Sequence, residues 1–391
     1  MNSKGNIYNL YKFSLFTLFI SSLYPYFFWN LSPAVTTLFY FCSSILFAVS
    51  YKNALQLNKA NIASAVFIVI FLLYVANYNN PLNILNQFIL SIVYVILLLL
   101  RRDIKAEILV FITKSFATLL AISLCFFLAR YILGINLPHT VVNHVYNYPF
   151  ECYTFFIVGC RVDMFMPRFM SVFSEPGFLG LAGGYLLYTQ SFSMKKWYNI
   201  IILISVILSF SLTGYVLLIL GAVLHFMFGT NKHRLVIISG LSLFIFIAVG
   251  VIQNYNGGNN QLNTLILNRL IIEDGDLSGN NRFTDDFESN YKQFVKSNDI
   301  ILGKSNYSDD QRGGSAGYKV FFYRYGIVGL VLMLLLYYSF TNGYSYRVYA
   351  GLCIVYLAAF IPQAQCMLST WLISFICGLP LLDRTLSQGK S

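Results

Sequence analysis

Apolar residues run through this chain in long stretches separated by short polar turns. A helix needs roughly 20 residues to cross a hydrocarbon layer of about 30 Å. Runs near that length lie at 13–29, 35–51, 62–78, 82–100, 107–133, 176–193, 198–211, 213–229, 235–252, 318–339, 346–361 and 365–382. The pattern predicts an all-α polytopic membrane protein with about twelve transmembrane helices and a single membrane domain over 1–391. The first run follows MNSKGNIYNLYK, and no small-residue cleavage site follows Ser21 to Trp29, so it reads as a retained helix rather than a signal peptide. The runs 198–211 and 213–229 are divided only at Ser209 to Gly214. A hairpin there keeps Lys195 and Lys196 on the same side as Lys232 and Arg234, which one long helix would not.

Basic residues orient the runs. With the N-terminus in the cytoplasm, Lys4, Lys12, Lys52, Lys59, Arg101, Arg102, Lys105, Lys195, Lys196, Lys232, Arg234, Arg347, Arg384 and Lys390 all fall inside, and so do both termini. The short outer turns near 30–34, 79–81 and 362–364 carry neither Lys nor Arg. This asymmetry accounts for much of the net charge of +11 and leaves no reason to expect a nucleic-acid partner. Composition agrees with the pattern: 57% of residues are hydrophobic and 10% charged, against about 25% charged in globular domains.

Two long loops fall outside, at 134–166 and 253–317. The second holds nine of the fifteen acidic residues. Within it Phe283, Phe287, Tyr291, Phe294 and Val295 recur at spacings of three and four, predicting an amphipathic helix from Arg282 to Lys296 capped by Asn280 or Asn281. The loop is expected to fold back over the outer mouth of the membrane domain. Of seven cysteines, Cys152 and Cys160 share the first loop and are candidates for a disulfide if that face is oxidising, a point the sequence leaves open; the others lack metal-ligand spacing.

Charges next to lipid mark the candidate chemistry. Arg168 and Glu175 sit in PRFMSVFSEPGFLG, at the mouth of an apolar run. Glu175 precedes Pro176, which places it at or just before a helix start, where the helix dipole favours a carboxylate. Two readings stand: a structural ion pair with an N-cap, or a carboxylate that accepts a proton beside an arginine that holds an anion. Gly180 and Gly184 form a small-xxx-small face suited to helix packing. Arg269, Arg282, Arg312, Lys319 and Arg324 are the other outer cations, and guanidinium forks converging on one cavity would suit a pyrophosphate. Arg324 lies within the apolar run VFFYRYGIVGLVLML and either binds substrate or snorkels to the interface, whereas Arg269, Arg312 and Lys319 read as solvated. His139 and His144 lack the i, i+4 spacing of a helical metal pair, and no P-loop, GxSxG, HExxH or dinucleotide fingerprint occurs. Neither a metal nor a cofactor is expected.

The strings RFMSVFSEPGFLG, LSFSLTGY, NNRF, ILGKSNY and YKVFFYRYGIVGLV, in that order across roughly 165–340, resemble the O-antigen and capsule repeat-unit polymerases, the Wzy family. The related O-antigen ligases often carry an arginine after the serine that matches Ser211, where this chain has Leu212. The resemblance implies a GT-C-like membrane glycosyltransferase in the bacterial inner membrane. Such an enzyme transfers an undecaprenyl-pyrophosphate-linked glycan donor to a lipid-linked acceptor repeat, sometimes beside a chain-length regulator protein. It also implies Glu175 as base or orienting group, with Arg168, Arg282 and Arg324 on the donor pyrophosphate. Arg269, Arg312 and Tyr323 are further candidates for substrate binding, since outer tyrosines could line a sugar path.

Overall fold

The computed structural model describes residues 3–76, 81–143, 149–153, 158–161, 168–228, 249–260, 263, 267–268, 272–273, 276–277, 285–304, 317–363 and 369–388. They are mostly helical. Before the first loop run α1 (Ser3–Ser21), α2 (Pro33–Ser50), α3 (Lys59–Tyr74), α4 (Pro81–Leu99) and α5 (Arg102–Tyr131). The loop carries an antiparallel sheet of β1 (Thr140–Asn143), β2 (Pro149–Tyr153) and β3 (Val158–Arg161). Then come α6 (Pro176–Thr189), α7 (Trp197–Leu208), α8 (Leu212–Phe228), the short pair β4 (Ile272–Glu273) and β5 (Asp276–Leu277), and α9 (Asp285–Val295). The chain finishes with α10 (Tyr318–Ser339), α11 (Tyr346–Phe360) and α12 (Ser369–Gln388).

Four of these helices, α2, α4, α5 and α10, are long and apolar enough to cross a membrane. Only 28% of the apolar window of α2 and 33% of that of α4 is buried against protein. Val35, Leu38, Leu46 and Val49 on α2, and Leu82, Leu85 and Phe88 on α4, face outward. Helices this hydrophobic with uncovered apolar faces need lipid as their solvent, and the chain is a helical membrane protein. Of the twelve expected crossings, these four have the length and apolarity among the described residues; α3, α7, α8 and α11 are apolar but shorter, and α7 with 12 residues reaches about 18 Å at 1.5 Å per residue. The expected crossing at 235–252 lies outside the described residues up to 248. The start of α1 moves ten residues toward the N-terminus of the expected run. Lys12 is accommodated by Glu107 at 3.5 Å and by the Tyr8 ring at 4.2 Å, and the helix stops ahead of Tyr24, which takes φ 51 before Pro25.

The chain forms two compact units: one of 1–116 with 284–384, the other of 117–283 with 385–391. In the first, hydroxyls tie apolar helices together, as expected where helix association lacks a hydrophobic drive. Ser43 donates to Ser14 Oγ at 2.6 Å, Thr370 to the Phe19 carbonyl at 2.8 Å, Tyr94 to Ser369 at 3.0 Å and Ser64 to the Ser339 carbonyl at 2.9 Å. Edge-to-face rings of Tyr337, Tyr356, Trp371 and Phe375 pack between α10, α11 and α12.

In the second unit α6 packs on both α7 and α8. Thirteen of its fourteen residues are buried, so the run at 176–193 yields a short enclosed helix. Gly180 and Gly214 make the backbones touch: a Cβ on Gly180 would stand 2.9 Å from Gly214 Cα. Gly184 packs as closely on the Leu217 side chain, whose Cβ would stand 2.8 Å from a Cβ there, which agrees with the packing face read from the sequence. In the loop sheet Cys152 pairs with Gly159 and Glu151 with Cys160. Successive strand positions alternate faces. The disulfide left open between 152 and 160 is therefore not formed, and Cys152 is a free, buried thiol that burial pushes up to about 11.

Replacing Gly180 by valine inserts branched carbons where two backbones meet and is expected to destabilise the unit by about 1–3 kcal/mol. Thermal unfolding in detergent checks this against Gly5→Ala, whose Cβ meets nothing within 4 Å and which should leave stability unchanged or slightly higher.

Candidate functional site

Within the second unit, the segment carrying Arg168 lies against the end of α7. The C-terminal carbonyls of a helix lack intrahelical partners and form the negative end of its dipole. Arg168 supplies both a charge and donors: Nε donates to Ser209 O at 3.0 Å and one Nη to Phe210 O at 2.5 Å. Beside it, Phe169 N–H donates to Leu208 O at 3.1 Å. α8 restarts at once, with Ser211 Oγ accepting from Gly214 N–H at 3.2 Å. The strings RFMSVFSEPG and LSFSLTGY, about forty residues apart, thus form one bonded structure.

The chain between Arg168 and Glu175 is tightly turned and buried. Phe169, Met170, Val172 and Phe173 are core residues, and a Phe173 N–H to Met170 O bond of 3.1 Å closes a turn around Ser171. Ser171 takes φ 53, a region that non-glycine residues occupy at a cost of about 1–3 kcal/mol. Its Oγ is buried with no hydrogen-bond partner among the described residues. Sequence reading missed this residue, since nothing in MSVF signals a left-handed serine. Glu175 caps α6 with extended backbone (φ −142, ψ 142), Pro176 follows at the first helical position, and the Glu175 side chain makes no cap hydrogen bond. The expected helix start is confirmed, and the carboxylate is half-buried.

The other candidates with described positions, Tyr323 and Arg324, belong to the first unit. The expected amphipathic helix exists as α9, with Phe287 and Phe294 buried. Its rings pack on α10: Phe294 lies 4.9 Å and Phe287 5.5 Å from the Tyr323 ring. Glu288 anchors the contact by accepting from Lys319 Nζ at 2.6 Å. Lys319, expected to be solvated, is held in this ion pair.

α10 is broken one turn later. Gly326 takes φ 60 and ψ −166, a conformation open essentially to glycine alone. The loop after α9 fills the break: Ile301 O accepts from Val328 N–H at 3.0 Å, and Lys304 N–H donates to Tyr323 O at 2.9 Å. Gly303, at φ 82, packs on the Arg324 carbonyl, where any Cβ would collide. Tyr74 donates its hydroxyl to both Leu302 O and Tyr325 O, at 3.0 and 2.9 Å. The strings ILGK and YKVFFYRYGIVG are thereby joined. Arg324 stands at this break, half-buried, with its guanidinium 5.4 Å from the Tyr325 ring and no ion pair among the described residues. Lys304 Nζ lies over the Tyr323 ring at 5.5 Å. Sequence reading passed over Lys304 and Tyr74, although ILGKS was among the strings it singled out. An apolar cavity of about 310 Å³ opens farther along, between α10, α11 and α12, beside Tyr337 and Trp371.

Arg269, Arg282 and Arg312 lie outside the described residues, as does His144. His139, read without a carboxylate neighbour in sequence, has one in space: Glu151 Oε1 is 3.9 Å from its Nε2. Glu151 also accepts from the Tyr153 hydroxyl at 2.5 Å, and that oxygen accepts from Arg130 Nε at 3.2 Å. Comparison of the chain with protein-family models, curated proteins and solved structures gives no match.

The Arg168 geometry predicts that Arg168→Gln, which leaves two helix-end carbonyls without their charged donor, destabilises the protein by about 2 kcal/mol. Its unfolding midpoint in detergent should fall clearly below that of wild type; an unchanged midpoint would show that these bonds contribute nothing.

Proposed function

We propose that the chain is a metal-independent membrane glycosyltransferase. It would polymerise undecaprenyl-pyrophosphate-linked oligosaccharide repeats into O-antigen or capsular polysaccharide on the outer face of a bacterial inner membrane. The proposal includes the twelve-crossing topology with both termini in the cytoplasm. The observation that carries it is the bonding of the family-like strings to one another in pairs, RFMSVFSEPG with LSFSLTGY and ILGK with YKVFFYRYGIVG. Each pair leaves polar groups poised at a helix interruption: Glu175 and Ser171 at one, Arg324 and Lys304 at the other.

In the proposed reaction Glu175 accepts the proton of the acceptor sugar hydroxyl as that oxygen attacks the anomeric carbon of the donor. The bond from that carbon to the pyrophosphate oxygen breaks, and undecaprenyl pyrophosphate leaves with its electron pair. Guanidinium groups offset the charge that develops on the leaving group, which removes the need for a metal; Arg282 and Arg324 are the residues to which the family resemblance gives this role. Arg168 acts here mainly through position, because two of its donors already hold the end of α7. The apolar cavity between α10, α11 and α12 suits part of an isoprenoid chain.

Surface glycan from a deletion strain tests the reading. Loss of a polymerase leaves glycan capped with single repeats. Lipid-linked polymer that never reaches its final acceptor would instead indicate a ligase, and repeats trapped on the cytoplasmic side a flippase. Complementation with Glu175→Gln or Arg324→Gln should shorten chains, with turnover reduced about a hundredfold for the base variant. Normal long chains from both variants would overturn the site assignment.

A further inference from the structure

The first unit holds a polar cavity of about 190 Å³, where the α4–α5 junction, the start of α3 and the turn after α10 meet. Main-chain bonds from Gln56 N–H to Leu99 O at 2.7 Å and from Arg101 N–H to Ala54 O at 2.9 Å fix its frame. Two cations line it, Arg102 and Lys105, and no acidic side chain does.

Lys105 is 6% exposed, and no other charged residue is as buried among the described residues. Lysine is almost never buried unless it is paired, because its ammonium loses hydration. Here it donates one hydrogen bond, to Leu98 O at 2.8 Å, which leaves two of its three N–H donors unused among the described residues. The acids beside it in sequence are engaged elsewhere: Asp103 with Arg101 at 2.5 Å and Glu107 with Lys12 at 3.5 Å. Arg102 is held at the rim by one Nη donating to Gly343 O at 2.8 Å, with its guanidinium 4.3 Å from the Tyr344 ring. The Tyr344 phenol is pushed up to about 12, mainly by burial, with Arg102 opposing and Asp383 adding to the shift. Asn58, Asn61 and Asn342 complete the polar wall.

We propose that this cavity binds a phosphate-bearing anion, with Lys105 as the buried point charge and Arg102 as the planar fork at its mouth. A tetrahedral oxyanion offers oxygens to both donor types at once, and guanidinium and ammonium are the two side-chain groups that recognise it best. The phosphate could belong to a phospholipid headgroup or to a free phosphate or pyrophosphate. Basic pockets between transmembrane helices characteristically hold anionic headgroups. Neither Glu175 nor Arg324 lines this cavity, so the inference holds whether or not the chain transfers glycans.

Native mass spectrometry and thermal shift on the purified full-length protein in detergent test it. The probes are phosphatidylglycerol against phosphatidylcholine, and inorganic phosphate and pyrophosphate. Wild type should retain phosphatidylglycerol over phosphatidylcholine, or be stabilised by the soluble anions. The first result assigns a headgroup and the second a soluble ligand. Lys105→Met and Arg102→Gln should each weaken binding at least about tenfold. Arg101→Gln, exposed and outside the cavity, should not. Without ligand, Lys105→Met should unfold at a higher temperature, since it removes an unpaired buried charge. If that variant does not fold, Arg102→Gln decides. No binding of any probe to wild type, or undiminished binding in the variants, overturns the proposal.

Discussion

A helix that stops or breaks among apolar neighbours frees backbone groups that no water can satisfy, and this constraint explains the most distinctive contacts in the molecule. At the end of α7 the freed carbonyls of Ser209 and Phe210 are taken by the guanidinium of Arg168, forty-one and forty-two residues away. At Gly326 the groups freed by the break in α10 are taken by Ile301, Lys304 and the hydroxyl of Tyr74. Each interruption is closed by a segment from elsewhere in the chain. Each therefore becomes a rigid place where polar side chains stand beside apolar helices.

Left-handed backbone occurs at both places. Ser171 and Phe210, on either side of the Arg168 contact, both take positive φ, and so do Gly303 and Gly326 at the other interruption. Unfavourable backbone persists only where surrounding contacts over-determine it. The buried hydroxyl of Ser171, without a hydrogen-bond partner among the described residues, and the half-buried guanidinium of Arg324 sit beside these points. Fixed polar groups in a largely dry setting favour electrostatic chemistry on a charged leaving group, because they need no reorganisation when charge develops.

The parts legible in the sequence were those governed by local pattern. Hydropathy located α10 to the residue and α2 and α4 within two residues, and the spacing of Phe287, Tyr291 and Phe294 revealed α9. The Glu175–Pro176 pair marked the start of α6, because proline restricts the residue before it. What remained hidden depends on the third dimension. Hydropathy does not distinguish a short helix enclosed by protein, such as α6, from one that spans lipid. The role of Arg168 at the end of α7 depends on chain reversal across forty residues, and the left-handed serine has no compositional mark. The strand register that separates Cys152 from Cys160 was equally invisible in their spacing.

Two kinds of charge remain after structural roles are assigned. Arg101, Lys12 and Lys319 hold acids, and Arg168 holds a helix end. Arg324 near the break in α10 and Lys105 in its cavity are left with positive charge and no carboxylate partner among the described residues. The central claim is the proposal that Arg324 serves pyrophosphate chemistry in a membrane glycosyltransferase. Its most direct test is reconstitution of the purified protein in liposomes with a lipid-pyrophosphate-linked repeat unit, in the presence of a metal chelator. The account predicts a ladder of lengthening glycan with one lipid pyrophosphate released per bond formed. Absence of any ladder, or growth that stops on adding chelator, would contradict it.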